Sequence, residues 1–324
     1  MSRRRLLLAV ALTPALAGAG ACRGTGADVA PDGKRRDGEG LGPVAMTLPD
    51  WDEVAEALGR PGSMMRENLA YHTAFLRHDL HVTSYGVTVS AGLALGSHVA
   101  FVRYPDETTL LMGDLVVTED ELQPLSDGLH RAGIEQTAIH KHLLAQTPDI
   151  WWTHVHAHGR DAVALARGLR KALDATATPD PRPTTKQQDV DLDTAGMDAA
   201  LDCEGAVVDG VHKCLFIRRE TVTDGGHVLP PGLGSTSAFN FQPVGGGRAA
   251  LHGDFALVAD EVQGVLRALR RSGLQLVELH HHNLRDEPRL FFVHLWAVDD
   301  AVRLAQGLRR AVDLTNVVAA PTAG

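Results

Sequence analysis

Apolar side chains recur along the chain at two spacings, and these spacings predict alternating helices and strands. Leu122, Leu125 and Leu129 follow one another at helical spacing, which predicts a helix over residues 119 to about 132. Gly133 would end that helix. The other predicted elements of this stretch are strands over residues 79–90, 98–104, 110–117, 134–143 and 150–158, and a final helix over residues 161–173.

The same succession of residues occurs twice. Residues 110–157 align without a gap on residues 250–297. The matched positions are Gly113-Asp114 with Gly253-Asp254, Glu121 with Glu261, Arg131 with Arg271, Gly133 with Gly273, His140 with His280, His142 with His282, Pro148 with Pro288 and His154 with His294. Agreement at so many glycine, proline and histidine positions indicates a tandem duplication.

Each copy predicts one α+β unit. Strands interrupted by helices in this order are typical of mixed or antiparallel sheets with helices packed on one face. Two copies predict a pseudo-twofold arrangement, in which we expect a sheet edge of one copy to pair with the same edge of the other. The predicted units are residues 46–175 and 192–318, and a Pro- and Thr-rich linker over residues 176–191 joins them.

The amino terminus has the features of an export signal. Three arginines precede an apolar run that ends in small residues before Cys22, which predicts a secretory signal over residues 1–22. Ala19-Gly20-Ala21-Cys22 resembles a bacterial lipobox, whose cysteine carries the lipid, and the arginine start resembles a twin-arginine signal. Residues 23–45 hold almost no large apolar side chain and predict a flexible tether.

We therefore expect an extracytoplasmic protein, exported by the twin-arginine or the general secretory route. Its partner would be the cell membrane, through a lipid anchor at Cys22. In the alternative interpretation the signal is simply cleaved and Cys22 has no role. Two further cysteines, Cys203 and Cys214, either form a disulfide in an oxidising compartment or remain thiols.

The charge of the chain excludes one class of partner. Its formal net charge is -9, whereas a nucleic-acid-binding protein needs a basic patch to displace counterions. No nucleic-acid partner is therefore expected. A small-molecule or cell-wall ligand stays possible, without any motif that identifies it.

Histidine is the residue type that points to chemistry, because 17 are present and several recur in both copies. His140 and His142 alternate along one predicted strand, and His154 and His156 along the next, so each pair shares a face of its strand. Neutral imidazoles at this spacing suit a transition metal, with zinc or copper favoured. One site is expected in each copy, with the predicted ligands His140, His142, His154, His156, His280, His282 and His294.

Two other interpretations of these residues stay open. Strand histidines are often held by main-chain carbonyls or carboxylates, in which case they would only join the halves of a non-enzymatic scaffold or ligand-binding module. The aromatic pairs Trp151-Trp152 and Phe291-Phe292 allow a glycan-binding platform, although core packing is the favoured interpretation.

Acidic residues recur beside these motifs. Asp114 and Asp254 follow a glycine at the same place in each copy. They would either orient imidazoles or occupy a strand-end turn, and the turn is the favoured interpretation. Glu121 and Glu261 fall in the first turn of a predicted helix, where a carboxylate is favourable, and are interpreted as helix-start residues.

At these motifs the chain resembles the LppY/LpqO family, exported bacterial proteins first named as mycobacterial lipoproteins. The resemblance lies in Gly113-Asp114-Leu115, residues 137–142 and 148–154, and residues 278–282 and 288–294 of the second copy. The middle Asn of the family's His-Asn-His stands here as Lys141 and His281. The resemblance covers nearly all of the chain after the tether and implies an exported, lipid-anchored envelope protein. It implies no reaction, so activity as an enzyme stays undecided.

Overall fold

The structure is a computed structural model that describes residues 40–182 and 189–320. The predicted signal peptide, Cys22 and most of the predicted tether lie outside the described residues, as does part of the predicted linker. The end of the tether is described, and there Leu41 forms a parallel bridge with His227 of the second repeat. Within the described ranges, no helix is long and apolar enough to cross a membrane.

The first repeat begins with a 3-10 turn, Leu48–Trp51, and continues through alternating strands and helices. Its elements are α1 Asp52–Leu58, β1 Ser63–Met65, β2 Ala70–Leu76, β3 Val82–Ser84, β4 Val87–Val89, α2 Ala91–Ala94, β5 Gly96–Arg103, β6 Thr109–Thr118, α3 Glu119–Arg131, β7 Glu135–His140, β8 Gln146–Thr147, β9 Ile150–Gly159 and α4 Ala162–Leu173.

The second repeat follows the same plan, except that its described residues form no counterpart of α2 and one strand is added at its end. Its elements are α5 Thr194–Leu201, β10 Ala206–Val208, β11 Val211–Arg218, β12 Thr223–Asp224, β13 His227–Val228, β14 Thr236–Gly245, β15 Arg248–Leu257, α6 Ala259–Arg271, β16 Gln275–His280, β17 Asp286–Glu287, β18 Phe291–Asp300, α7 Ala301–Val312 and β19 Val317–Ala319.

Each repeat forms one large antiparallel sheet, and the strand order is the same in both. The order is β1-β2-β5-β6-β9-β7 in the first repeat and β10-β11-β14-β15-β18-β16 in the second, where β19 also pairs with β11. A small three-stranded sheet accompanies each large one, β4-β3-β8 and β13-β12-β17. The predicted α+β class and the tandem arrangement of two similar units are confirmed.

One strand of the first repeat is missing from the sequence prediction. The pattern predicts a strand over residues 79–90, but this segment forms only the short hairpin of β3 and β4. The long strand that pairs with β5 is the seven-residue β2, which comes before the predicted segment in the chain. Polar residues such as His72 and Thr73 occupy both of its faces, which hides the apolar alternation.

Helices α3 and α6 begin in the same way. The main-chain N–H of Thr118 donates to Glu121 Oε2 at 2.9 Å, and that of Val258 donates to Glu261 Oε2 at 3.0 Å. Each glutamate also accepts from a buried arginine of the neighbouring sheet, Arg77 or Arg218. Glu121 and Glu261 are therefore helix-start residues that in addition tie the helix to the sheet.

The helices of each repeat cover one face of its sheet and enclose a core. In the first repeat Phe75, Phe101 and Leu115 meet α1, α3 and α4, and in the second Phe216 and Phe255 meet α5, α6 and α7. Along each strand the core residues recur at every second position, as Leu115 and Val117 do in β6, so the residues between them point to the opposite face. The helix layers do not cover this opposite face, and only the four-residue α2 of the described helices packs beside it, where its Ala94 accepts a hydrogen bond from Trp152. We call these surfaces the helix-free faces.

The two helix-free faces pack against each other. One apolar cluster joins Trp152 of the first repeat to Trp296 of the second, and another joins Met112 to Phe292. The molecule is thus layered as helices, sheet, sheet and helices. The expected pairing of sheet edges is wrong, because the large sheets of the described residues remain separate ladders that meet face to face.

Candidate metal centre

Hairpin pairing aligns the predicted ligands on the helix-free faces. Strand β7 pairs with β9, placing Ala138 opposite His154, and β16 pairs with β18, placing Glu278 opposite His294. His140 and His280 lie two residues further along their strands, so their rings share a face with those of His154 and His294. The sequence prediction of converging hairpin strands is confirmed.

Because the sheets face each other, the histidines of the two copies form one group. The rings of His140 and His280 lie 4.1 Å apart between centroids. Two further cross-repeat contacts form a symmetric pair, His142 with His294 at 4.0 Å and His154 with His282 at 3.8 Å. We call these residues the central histidine cluster: His140, His142, His154, His280, His282 and His294.

Donor atoms in this cluster are close enough to share an ion. Donor nitrogens of His140, His154 and His280 all lie within 4.8 Å of one another, and so do those of His140, His142 and His294. Each set contains residues of both repeats. The structure therefore does not form the expected separate site in each copy. Six of the seven predicted ligands instead meet in a single cluster.

The ring nitrogens of the cluster are buried and mostly without partners. Neither nitrogen of His280 or His294 has a hydrogen-bond partner, nor do His140 Nδ1, His154 Nε2 and His282 Nε2. His140 Nε2 and His142 Nε2 lie 3.0 Å apart, and the rings of His154 and His280 also approach the main chain of Gly113 and Phe292. A strand histidine with a purely structural role would have both of its nitrogens satisfied by such groups. Here donor nitrogens of different rings lie within 4.8 Å of one another.

Two carboxylates face the same space. Asp114 Oδ2 lies 3.2 Å from His142 Nε2, and Asp254 Oδ2 lies 3.6 Å from His282 Nε2. Both aspartates occupy the middle of long strands, β6 and β15, so the favoured interpretation of a strand-end turn is wrong. Gly113, the residue before Asp114, instead allows β5 to approach β6 closely, since a Cβ at Gly113 would meet Val99.

Burial sets the protonation states in this space. Removal from water lowers the pKa of His154 to about 4 and the pKa of His280 to about 3. Burial likewise raises the pKa of the Asp114 and Asp254 carboxyl groups above their usual range. At neutral pH the imidazoles are therefore neutral and keep a lone pair for a metal. A cation bound beside the two carboxyl groups would favour their ionised form.

Aromatic rings support the cluster from outside. His142 stacks on Trp152 with 4.3 Å between centroids, and His282 stacks on Phe292. Both aromatic side chains are completely buried in the contacts between the sheets. Core packing, the favoured interpretation of these aromatic residues, agrees with this position.

One side of the cluster opens into a cavity, and a further histidine packs against the other side. The cavity has a volume of about 180 Å³ and reaches Asp114, His154 and His282 between walls that include His98 and Met112. At the place of Met112 the second repeat has His252, which stacks on the opposite side of the cluster. His252 and His98 were missed by sequence reasoning, although His252 precedes Asp254 by two and shares its face.

His156, the seventh predicted ligand, belongs to a different group. Its Nε2 contacts Asp224 Oδ2, and His158 Nε2 lies 3.5 Å from the same oxygen. Asp224 comes from β12 of the second repeat, where the first-repeat sequence has no acidic counterpart that could have indicated it. The pairing with Asp224 removes His156 from the central histidine cluster.

Comparison with known proteins gives a family but no activity. The model of a family described as Domain of Unknown Function (DUF1259) matches residues 52–175 and 195–314. These two matches cover most of the chain and reproduce its two repeats, so the chain belongs to that family. No curated protein matches the chain.

Three solved structures show a distant likeness. The double-ringed trimeric shell protein MSM0271 of the RMM microcompartment is 9% identical, with a TM-score of 0.18 over 63% of this chain and 81% of that one. The trimeric shell protein PduB is 9% identical, with a TM-score of 0.19 over 76% and 86%. EtuB from Clostridium kluyveri is 10% identical, with a TM-score of 0.18 over 78% and 92%. Likeness at this level supports no conclusion about fold or function.

Proposed function

We propose that this member of the DUF1259 family binds a transition-metal ion at the central histidine cluster, between its two repeats. The observation that carries the proposal is the convergence of imidazole nitrogens from both copies within 4.8 Å. Those nitrogens are buried and largely unpartnered, which costs free energy unless a ligand satisfies them.

The donor set favours zinc or copper. Neutral imidazole is a ligand of zinc, copper, nickel and iron, whereas calcium and magnesium prefer a shell of oxygen atoms. Asp114 and Asp254 supply the negative charge that a divalent ion needs in a buried place. They serve either as ligands themselves or as partners that orient the imidazoles.

The cavity beside Asp114, His154 and His282 supports a functional rather than a purely structural ion. Structural metal sites are closed by protein ligands, whereas sites that act on a ligand keep one side open. A space of about 180 Å³ admits a small molecule to the His154 side of the cluster. His252 packs against the other side, on His142 and His294.

The test is metal binding by the full chain, purified without a histidine tag. We expect zinc and Cu²⁺ to bind in calorimetric titrations, and bound Cu²⁺ to show imidazole nitrogen couplings in its electron paramagnetic resonance spectrum. His140→Ala combined with His280→Ala should weaken Cu²⁺ binding at least tenfold and remove those couplings. The matched control is His130→Ala, which changes an exposed histidine on α3.

Either of two outcomes would overturn the proposal. One is a full chain that binds neither ion. The other is a double variant that keeps both the affinity and the nitrogen couplings of the unaltered chain. Circular dichroism of the double variant would establish that it is folded before either result is interpreted.

We further propose that the protein is exported and anchored by a lipid on Cys22, as the resemblance to LppY/LpqO proteins implies. The support is the basic and apolar start of the chain with small residues before Cys22. Expression in a bacterial host should place the chain in the membrane fraction with an acylated Cys22. Cys22→Ser should release it into the soluble extracytoplasmic fraction, and an unchanged membrane location would contradict the anchor.

A further inference from the structure

The two repeats differ most in chemistry at one corner of their helix cores, where the first helix meets the second long strand. The first-repeat residues there are Ala55, Arg60, Tyr71 and Thr73, and the equivalent second-repeat residues are Asp198, Cys203, His212 and Cys214. All four replacements introduce a side chain that can bind a metal. The corner lies on the helix side of the sheet, away from the central histidine cluster.

In the first repeat ordinary hydrogen bonds hold this corner. Thr73 Oγ1 donates to the carbonyl oxygen of Pro61 at 2.8 Å, and Arg60 donates to the carbonyl oxygen of Ala74 at 2.9 Å. In the second repeat the thiol of Cys203 reaches the equivalent carbonyl, that of Leu215, only at 3.6 Å. The replacements have therefore exchanged good hydrogen bonds for weak ones.

The replacing side chains converge instead on one another. Asp198 Oδ1 lies 2.8 Å from His212 Nε2, and Cys214 Sγ lies 3.6 Å from the same nitrogen and 3.8 Å from Asp198 Oδ1. These three donor atoms all lie within 4.8 Å of one another. The thiol of Cys203 is also buried and free, and lies outside this group of three. It neighbours the Cys214 thiol and is the fourth donor that a bound ion would recruit.

This geometry does not suit a cysteine nucleophile. In a catalytic triad of carboxylate, imidazole and thiol, the carboxylate and the thiol would contact different nitrogens of the imidazole. Here Asp198 and Cys214 both contact Nε2, while Nδ1 of His212 is buried without a partner. Cys214 is also completely buried, so no substrate reaches it.

We propose that Asp198, Cys203, His212 and Cys214 bind a second transition-metal ion, of the zinc class, that holds α5 against β11. Binding forms bonds from the two sulfurs, one imidazole nitrogen and one carboxylate oxygen to the divalent ion. The two thiol protons pass to solvent, and no electron is transferred. Asp198 is the partly exposed member of the set, with 27% of its side chain accessible, and provides the path of entry.

The test is titration of the reduced full chain with Co²⁺, a spectroscopic substitute for zinc. Cobalt bound by cysteine gives a thiolate-to-metal charge-transfer band, which a site of histidine and aspartate cannot give. We expect this band to saturate within two ions per chain, because the central histidine cluster also takes up Co²⁺, and to disappear when Zn²⁺ is added. Cys22→Ser should keep the band, which excludes the remaining thiol.

The decisive variant restores the first-repeat residues, Cys203→Arg with Cys214→Thr, because the same fold already accommodates them in the other copy. It should lose the charge-transfer band completely while keeping the circular dichroism of the unaltered chain. The variant His140→Ala with His280→Ala should keep the band, so failure at the central histidine cluster and failure here are distinguishable.

Two results would overturn the proposal. One is the lack of a charge-transfer band in the reduced chain. The other is a band that survives in Cys203→Arg with Cys214→Thr.

Discussion

Replacement of His252 by methionine tests the burial of the central cluster through the pH dependence of stability. His252 is 5% exposed, both of its ring nitrogens lack partners, and burial lowers its pKa to about 4. Methionine is the residue that the first repeat has at this place, Met112, so the fold accommodates it. The substitution therefore removes a titrating group with little change of packing.

The sign of this pH dependence follows from whether the folded or the unfolded state binds the proton more readily. In the unfolded chain an imidazole has a pKa of about 6.5, so between about pH 6.5 and 4 the unfolded state binds the proton that folded His252 refuses. The stability linked to this group is complete above about pH 6.5 and is lost as the pH falls. At pH 5 the loss is about 2 kcal/mol relative to pH 8.

The assay is urea unfolding at pH 8 and pH 5 with a chelator present. Between these values the unaltered chain should lose about 2 kcal/mol more of its free energy of unfolding than His252→Met. His130→Gln, on the exposed face of α3, should retain the pH dependence of the unaltered chain. Equal losses in the unaltered chain and His252→Met would refute the argument that burial keeps His252 neutral.

Two further predictions concern the scaffold. Arg218→Met leaves the largely buried Glu261 carboxylate, 2.6 Å from the guanidinium in the unaltered chain, without its cation. Urea unfolding should show a loss of about 3–5 kcal/mol, and a change near zero would contradict the role of this pair. Gly113→Ala places a Cβ against the carbonyl oxygen of His98 and should cost about 1–3 kcal/mol. Gly264→Ala on α6 makes only an ordinary van der Waals contact with Leu314 and should gain about 0.5–1 kcal/mol. Melting temperatures that move in the same direction for both glycine variants would argue against the close strand approach.

Patterns that are local in sequence predicted the fold well. The apolar spacing of α3 and the alternation of β6 and β9 depend only on which face of each element is buried, and these were recognisable. The alignment of the first copy on the second could likewise be made from the sequence alone. The shared face of His140 and His154 followed from the period of a strand and from hairpin pairing.

Contacts between the copies could not be predicted in the same way. Whether two sheets meet by their edges or by their faces depends on which surface is left uncovered by helices, and no short stretch of sequence encodes that. For the same reason Asp224 could not be assigned to His156. Asp114 was misread because glycine before aspartate is typical of a turn, whereas Gly113 is required by a neighbouring strand.

The face-to-face packing explains how duplication and the central cluster depend on each other. A single repeat would expose the face that carries Trp152 or Trp296, and it would hold only half of the donor nitrogens. The symmetric contacts His142 with His294 and His154 with His282 exist only when the two helix-free faces are packed against each other. An ion at this place would therefore stabilise the contact between the repeats as well as fill its site.

Comparison of the two copies also separates the positions that hold donors from those that form walls. The three cluster histidines and the aspartate are the same in both copies, whereas the residues around them differ. Met112 of the first copy is equivalent to His252 of the second, and His72 is equivalent to Lys213. Identical donors create two equivalent halves of the cluster, and different walls place a cavity beside one half and His252 against the other. The duplicated chain thus combines a symmetric set of donors with asymmetric surroundings, which neither copy provides alone.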